Sequence, residues 1–388
     1  MHESGLGVKK IIFAISALIV SCTALTPAHG LDLPQSFINL SKSPTLHDPG
    51  ILVVDPVTGE TVYSNEPDKT RAPASVLKLI SMTTALKSYG ADKVFTTTIN
   101  ATAKPSVYVL SGERDPWITA SRFEEKKYHR AYDPYLINKV LIAHPHLRFM
   151  TLYYKDVYTQ DVVKLQKFFK GRIRIAAHPI TATAAEALVI QPVATIKSPP
   201  LSEIIKFTLL WSDNTIADRL AHSSAHEDGL PTDVSGLQSI FEKRLKEINV
   251  PVEGLLVQDG NGLSHETRVS ARTITSLLVE IRKNPDLKVI YDGLPIAGET
   301  GTLKNRFVKD APSAVGLVKA KTGWIDTTVS LAGFVTVGEN QYAFTFIADR
   351  IINRESARTA ARETIDKMLA TIAKPGPTST PAPAPTNP

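Results

Sequence analysis

At 388 residues the chain is long enough for two domains, or for one large domain carrying an insertion. With 43% hydrophobic and 21% charged residues it can bury a core without disulfide or metal staples. The formal charge of +6 is modest for this length; it would suit a polyanionic envelope, but it reads better as a slightly basic soluble surface and calls for no nucleic-acid partner.

In chain order, Lys9-Lys10 precede an apolar run from Ile11 to Val20 and then the small-residue stretch Pro27-Ala28-His29-Gly30. This reads as a signal peptide over residues 1–30, which places the mature chain outside the cytoplasm, in the cell envelope or wall space. The apolar run is too short to cross a bilayer as a helix. Cys22, the only cysteine, falls in this segment, so cleavage after Gly30 leaves no thiol for a disulfide or a cysteine nucleophile. Ile19-Val20-Ser21-Cys22 also resembles a lipobox. On that alternative a lipidated Cys22 becomes the N-terminus and the membrane contact.

Residues 31–94 hold a β-hairpin (Ile51 to Val54, Thr61 to Tyr63) around Asp55-Pro56 and Gly59, then a helix from Ser75 through Lys87 that ends at Gly90. Over residues 95–190 the texture changes. Strand-like runs (Phe95 to Ile99, Val107 to Leu110, Phe149 to Tyr154, Ile173 to Ala177) alternate with polar, turn-rich stretches, which predicts an inserted domain with its own small core. His144-Pro145-His146 has no acidic or cysteine partner close by and reads as loop histidines. Residues 191–373 carry a helical run from Leu201 through Ala221, helices from Gly236 to Ile248 and Ala271 to Lys283, and a strand trio (Ala314 to Thr322, Thr327 to Val337, Gln341 to Ala348). A terminal helix spans Ser356 to Ile372, and residues 374–388 read as a Pro/Ala/Thr-rich disordered tail.

Three short strings stand in order along this frame: Ser75-Val76-Leu77-Lys78, Ser212-Asp213-Asn214 and Lys321-Thr322-Gly323. A serine hydroxyl is a poor nucleophile until a base accepts its proton. Three residues make about one helical turn, so Lys78 comes within reach of Ser75, and burial that lowers the pKa of its amine lets it act as that base. Ser75 opens its helix after Pro73, which frees its backbone N–H for an oxyanion. Ser212 suits passage of a proton between Lys78 and a leaving amine. Asn214 offers a donor and an acceptor to a substrate peptide group and to Lys78, and Asp213 caps the helix from Thr215. Lys321 and Thr322 fit the free carboxylate of a peptide laid along an edge strand. Gly323 permits close backbone approach, and the Trp324 backbone N–H completes the oxyanion pair.

Together these strings are the signature of class A β-lactamases and penicillin-binding proteins. The sequence resembles peptidase family S13, the D-alanyl-D-alanine carboxypeptidase/endopeptidases of the class C low-molecular-mass penicillin-binding proteins. Asp259-Gly260-Asn261-Gly262-Leu263-Ser264 is similar to that family's D-G-S-G-L-S segment. Gly298 to Leu303 with Arg306, and Ser330 to Phe334, fit it too. The resemblance implies an α/β (α+β) penicillin-binding/β-lactamase-like transpeptidase domain, an antiparallel sheet flanked by helices, with a smaller domain inserted. It implies acyl transfer from the penultimate D-Ala of a peptidoglycan stem peptide to Ser75, covalent inhibition by β-lactams, and no metal or organic cofactor. Two departures stand out. Lys78 and Ser212 are 134 positions apart, short for the family, and Trp324 replaces the usual small Thr.

Two rival readings share the fold. A β-lactamase needs a carboxylate that activates water, and Glu280 with Asn284 has a suitable spacing on what reads as a solvated helix face. A non-catalytic wall-binding or sensor protein has no need to keep Lys78, Ser212 and Asn214 together.

Overall fold

The computed structural model describes residues 31–376. The expected signal peptide with Cys22, and positions 377–388 of the expected tail, lie outside the described residues. Lys374, assigned to that tail by composition, pairs with Val337.

A five-stranded antiparallel sheet is assembled from both ends of the chain, in the order Val318–Ile325, Thr328–Val337, Asn340–Asp349, Asp48–Val54, Thr61–Asn65. Alternate residues of a strand face opposite ways, so the Asn340–Asp349 strand serves two layers. Phe346 meets Phe37 of the helix Gln35–Ser41 on one face, whereas Thr345 takes a hydrogen bond from Thr275 of the helix Ala271–Lys283 on the other. Between that second face and the outer helices runs the helix Lys78–Tyr89, buried along nearly its whole length. Its Leu79, Ile80 and Met82 join Leu209, Ile216, Leu220 and Phe241 in the main core. Val318–Ile325 forms one edge of the sheet, the position from which an extended peptide could be added.

A second sheet, in the order Val189–Lys197, Thr96–Thr102, Val107–Ser111, Phe149–Lys155, Arg174–Pro179, is built from the middle of the chain. Its first two pairings are antiparallel and its last two parallel. Parallel neighbours need crossovers, and the helices Pro134–Ala143 and Thr159–Phe169 supply them. Leu136, Ile137, Val140, Val162, Leu165 and Phe169 from these helices pack with Ile99, Leu110 and Leu152 in a core separate from the first. Their spacing at i, i+1, i+4 and at i, i+3, i+7 is helical, so the stretches read as turn-rich are crossover helices.

Thr159–Phe169 also ties the two sheets' layers together. Asp161 in its first turn accepts a 2.7 Å bond from Arg219 of the helix Asn214–Glu227, and both side chains are buried. The ring of Tyr158 lies 4.3 Å under the Arg219 guanidinium, and its hydroxyl bonds Ser223 Oγ at 2.7 Å.

Candidate active site

Pro73 and Ala74 turn the chain sharply, with Ala74 at φ +50°, and deliver Ser75 into a short 3-10 turn, Ala74–Leu77. The α-helix starts only at Lys78, which corrects the expectation that Ser75 opens it. The tighter turn serves the chemistry better, because residues i and i+3 eclipse in a 3-10 helix. Lys78 Nζ and Ser75 Oγ are accordingly 2.7 Å apart. Lys78 is fully buried, and Ser75 is 9% exposed.

Lys78 Nζ has two more neighbours, Asn214 Oδ1 at 2.7 Å and the Asn261 carbonyl at 2.6 Å. Burial pushes the Lys78 pKa down to about 8, against the pull of Asp259, Asp213 and Asp218. A neutral amine has two N–H groups and one lone pair. With the N–H groups on the Asn214 and Asn261 oxygens, the lone pair is left for the Ser75 hydroxyl. An amine held in this way can take the proton of the Ser75 hydroxyl.

The Asn261 contact has no side-chain signature, and sequence reasoning missed it; the Asp259 to Ser264 segment was the available hint. Asp259 shapes that loop by accepting from the N–H groups of Gly262 and Ser264. Gly262, at φ +81°, sits so close to the Ala74 carbonyl that a Cβ would come within 2.0 Å of that oxygen. Only glycine lets this loop press against the nucleophile turn.

The helical run after Leu201 is two helices, Leu201–Trp211 and Asn214–Glu227, broken where Ser212 turns to φ +58°. Asp213 caps the second through Ile216 N, so that helix starts one residue earlier than expected, at Asn214. Ser212 Oγ accepts from Lys321 Nζ at 2.9 Å rather than from Lys78, which has its three neighbours elsewhere.

Lys321 is fully buried, and its other acceptor is the Thr322 carbonyl. Desolvation, with Lys78 nearby, holds its pKa well below the ordinary lysine range. Both buried lysines have only neutral hydrogen-bond partners, and whereas three carboxylates act on Lys78, no carboxylate is bonded to Lys321. Thr322 Oγ1 donates to Thr302 Oγ1 at 3.0 Å, which ties the strand to the Gly298 to Leu303 segment. Gly323 lies over the nucleophile turn, where a Cβ would fall 2.0 Å from Ser330 Oγ and 3.0 Å from the Pro73 carbonyl. Trp324 is 39% exposed, its ring flanked by Arg358 and Arg362 of the terminal helix Glu355–Ile372.

All eight residues singled out from the sequence therefore lie on three adjoining elements: the nucleophile turn, the break at Ser212, and the edge strand. A cleft of about 530 Å³ opens beside them, lined by Asn214, Asn261 and Leu263 on one side and by Arg114, Tyr158 and Gln160 on the other. A second, of about 340 Å³, runs along Thr322 to Trp324. Glu280 and Asn284 play no part here. Glu280 sits on the helix Ala271–Lys283 packed beneath the sheet, and Asn284 caps the next turn through Asp286 N.

The family model described as the D-Ala-D-Ala carboxypeptidase 3 (S13) family matches residues 39–125 and 155–372. Carboxypeptidase DacB of Mycolicibacterium smegmatis is 34% identical over 148 residues, 37% of this chain and 32% of that protein. A D-alanyl-D-alanine carboxypeptidase of Actinomadura sp. is 34% identical over 184 residues, 46% of this chain and 33% of that protein. The chain thus aligns with about a third of the length of these curated relatives. Penicillin binding protein 4 of Haemophilus influenzae superposes with a TM-score of 0.69 at 16% identity, over 86% of this chain and 99% of that one. At that identity the likeness carries the fold.

Proposed function

The chain belongs to the D-Ala-D-Ala carboxypeptidase 3 (S13) family, and from that premise we propose that it is a serine-type D-Ala-D-Ala carboxypeptidase acting on peptidoglycan stem peptides outside the cytoplasm. The observation that carries this reading is the buried Lys78 amine, 2.7 Å from Ser75 Oγ with its N–H groups engaged elsewhere. Ser75 Oγ attacks the carbonyl carbon of the penultimate D-Ala, and its proton passes to Lys78 Nζ. The oxyanion rests on the backbone N–H groups of Ser75 and Trp324. Collapse breaks the C–N bond; the Ser212 hydroxyl, held by Lys321, gives its proton to the leaving nitrogen of the terminal D-Ala and is reprotonated from Lys78, so the proton taken from Ser75 ends on the released amine. Water then releases the acyl group; the same step on a crosslink is endopeptidase cleavage. The substrate's terminal carboxylate supplies the charge that Lys321 lacks, and Thr322 adds a hydroxyl. Asn214 holds a substrate amide through the N–H side of its side chain. The second sheet and its helices, from Thr96 to Lys197 rather than ending at 190, form the inserted domain of this enzyme.

β-Lactams that acylate Ser75 act as inhibitors rather than substrates on this reading. The three carboxylates that act on Lys78 are each engaged by a backbone N–H: Asp213 by Ile216, Asp218 by Gly260, and Asp259 by Gly262 and Ser264. None of the three is a hydrogen-bond partner of Ser75 Oγ, which meets Lys78 instead, and this weighs against a β-lactamase. Among the described residues no helix is long and apolar enough to cross a membrane.

Release of D-Ala from a stem pentapeptide, followed against pH, tests the proposal. Below pH 8 Lys78 is mostly protonated and its lone pair is occupied, so kcat/KM is expected to fall about tenfold per pH unit on the acid side and to level off above about 8. No D-Ala release at any pH, or a rate flat from pH 6 to 9, would remove the reading.

A further inference from the structure

The net charge of the chain is unevenly placed. Residues 95–190 hold 14 Lys and Arg against 8 Asp and Glu, a balance of +6, and the rest of the chain holds 30 of each. The second sheet and its helices therefore account for the whole excess. Much of it gathers where the helix Thr159–Phe169 ends and the sheet's outer strand Arg174–Pro179 begins. There a groove of about 410 Å³ is lined by Arg148, Lys170, Arg172, Arg174 and Gln166, and no carboxylate lines it.

One backbone and one side-chain hydrogen bond tie the segments that line the groove. Arg174 N donates to the Arg148 carbonyl at 3.0 Å, and Gln166 Nε2 donates to the Ile175 carbonyl at 3.0 Å. Arg148 and Arg172 spend part of their donors on neutral acceptors, Pro145 O at 3.0 Å and Asn138 Oδ1 at 3.2 Å. Guanidinium groups carry five donors in a fixed fork suited to two-oxygen anions, and most of these donors stay unused.

We propose that this groove is an anion-binding site by which the inserted segment grips the carboxylate-bearing peptidoglycan polymer, apart from the peptide being cleaved. The choice of polymer rests on the functional reading above: the wall that presents stem peptides to Ser75 also presents a dense array of free carboxylates. The eleven-residue helix Thr159–Phe169 carries the groove at its C-terminal end and Asp161, bonded to Arg219, in its first turn. At about 1.5 Å per residue, the step from Asp161 to Phe169 sets the grip roughly 12 Å along the helix from its contact with Arg219. A polymer held there raises the local concentration of its own stem peptides at the site.

The test compares the full chain with a variant carrying Arg148→Gln, Arg172→Gln and Arg174→Gln. Arg172 and Arg174 are exposed and none of the three belongs to the catalytic pocket, so the rate of Ser75 acylation by a β-lactam is expected to agree within twofold. Cosedimentation with purified peptidoglycan sacculi is expected to weaken at least tenfold in the variant, and raising salt to 0.5 M to weaken the unaltered chain comparably, as ionic contacts are screened (about 4 Å Debye length). Anionic phospholipid vesicles and duplex DNA serve as parallel probes. Equal sedimentation of the two proteins would overturn the proposal, and so would an arginine-dependent preference for vesicles or DNA over sacculi. Arginine-dependent sacculus binding with no acylation in either protein would uphold the groove and sink the functional reading instead.

Discussion

Replacing Lys78 with alanine is expected to slow acylation of Ser75 by a β-lactam about 10²- to 10⁴-fold, the range over which a positioned general base acts. The expectation follows from the buried amine's three contacts. Among the described residues Lys78 is the one side chain whose nitrogen meets Ser75 Oγ, and Asn214 and Asn261 orient its lone pair there. Removing it leaves a hydroxyl with its ordinary high pKa and two carbonyl-type acceptors without their donor. Stability alone cannot mimic the result, because adduct formation is read per folded molecule. Arginine at this position is not a rescue, since guanidinium stays protonated at every working pH. Stopped-flow or quenched acylation of the two proteins measures the ratio; a fall of less than tenfold would show that another group takes the serine proton.

Gly323→Ala is expected to cost about 1–3 kcal/mol of stability, by overpacking, and to slow acylation about 10- to 100-fold. The added methyl meets Ser330 Oγ at 2.0 Å, and Ser330 Oγ is the donor that satisfies the Pro73 carbonyl, two residues before the nucleophile. To admit the methyl, either Ser330 gives up that bond or the edge strand moves off the nucleophile turn. Both outcomes misplace Ser75 against the strand that lines up the substrate. The double change Gly323→Ala with Ser330→Gly tests the cause: it relieves the clash and is expected to recover stability more than rate, since Pro73 O remains without its donor. Thermal unfolding and acylation rates of both variants separate the two effects.

The catalytic strings were legible in the sequence because their chemistry is carried by side chains at short, fixed spacings. Ser75 with Lys78 follows from that spacing, whereas Asn214, 136 positions from Lys78, and Lys321 to Gly323 at the sheet edge were legible only through the strings they belong to. Asn261 contributes a backbone carbonyl to Lys78, and a carbonyl looks alike in every residue. The partner of Ser212 was misjudged for a related reason. Two lysines compete for it, and only the left-handed break in the chain decides that Lys321 is the nearer. In the middle of the chain the strands were readable, whereas the crossover helices were not, since segments such as Thr159–Phe169 alternate apolar and lysine residues closely enough to pass for polar loop. Val189–Lys197 was missed because Pro192 argues against a strand; as an outer strand whose register shifts at Pro192, it tolerates the missing donor.

The central claim is that Ser75 is the nucleophile, and proteolytic mapping of the β-lactam adduct by mass spectrometry tests it most directly. The account expects one adduct per chain, on the peptide containing Ser75, persisting for minutes or longer and absent from the Ser75→Ala protein. An adduct on any other residue, or full labelling of Ser75→Ala, would contradict it.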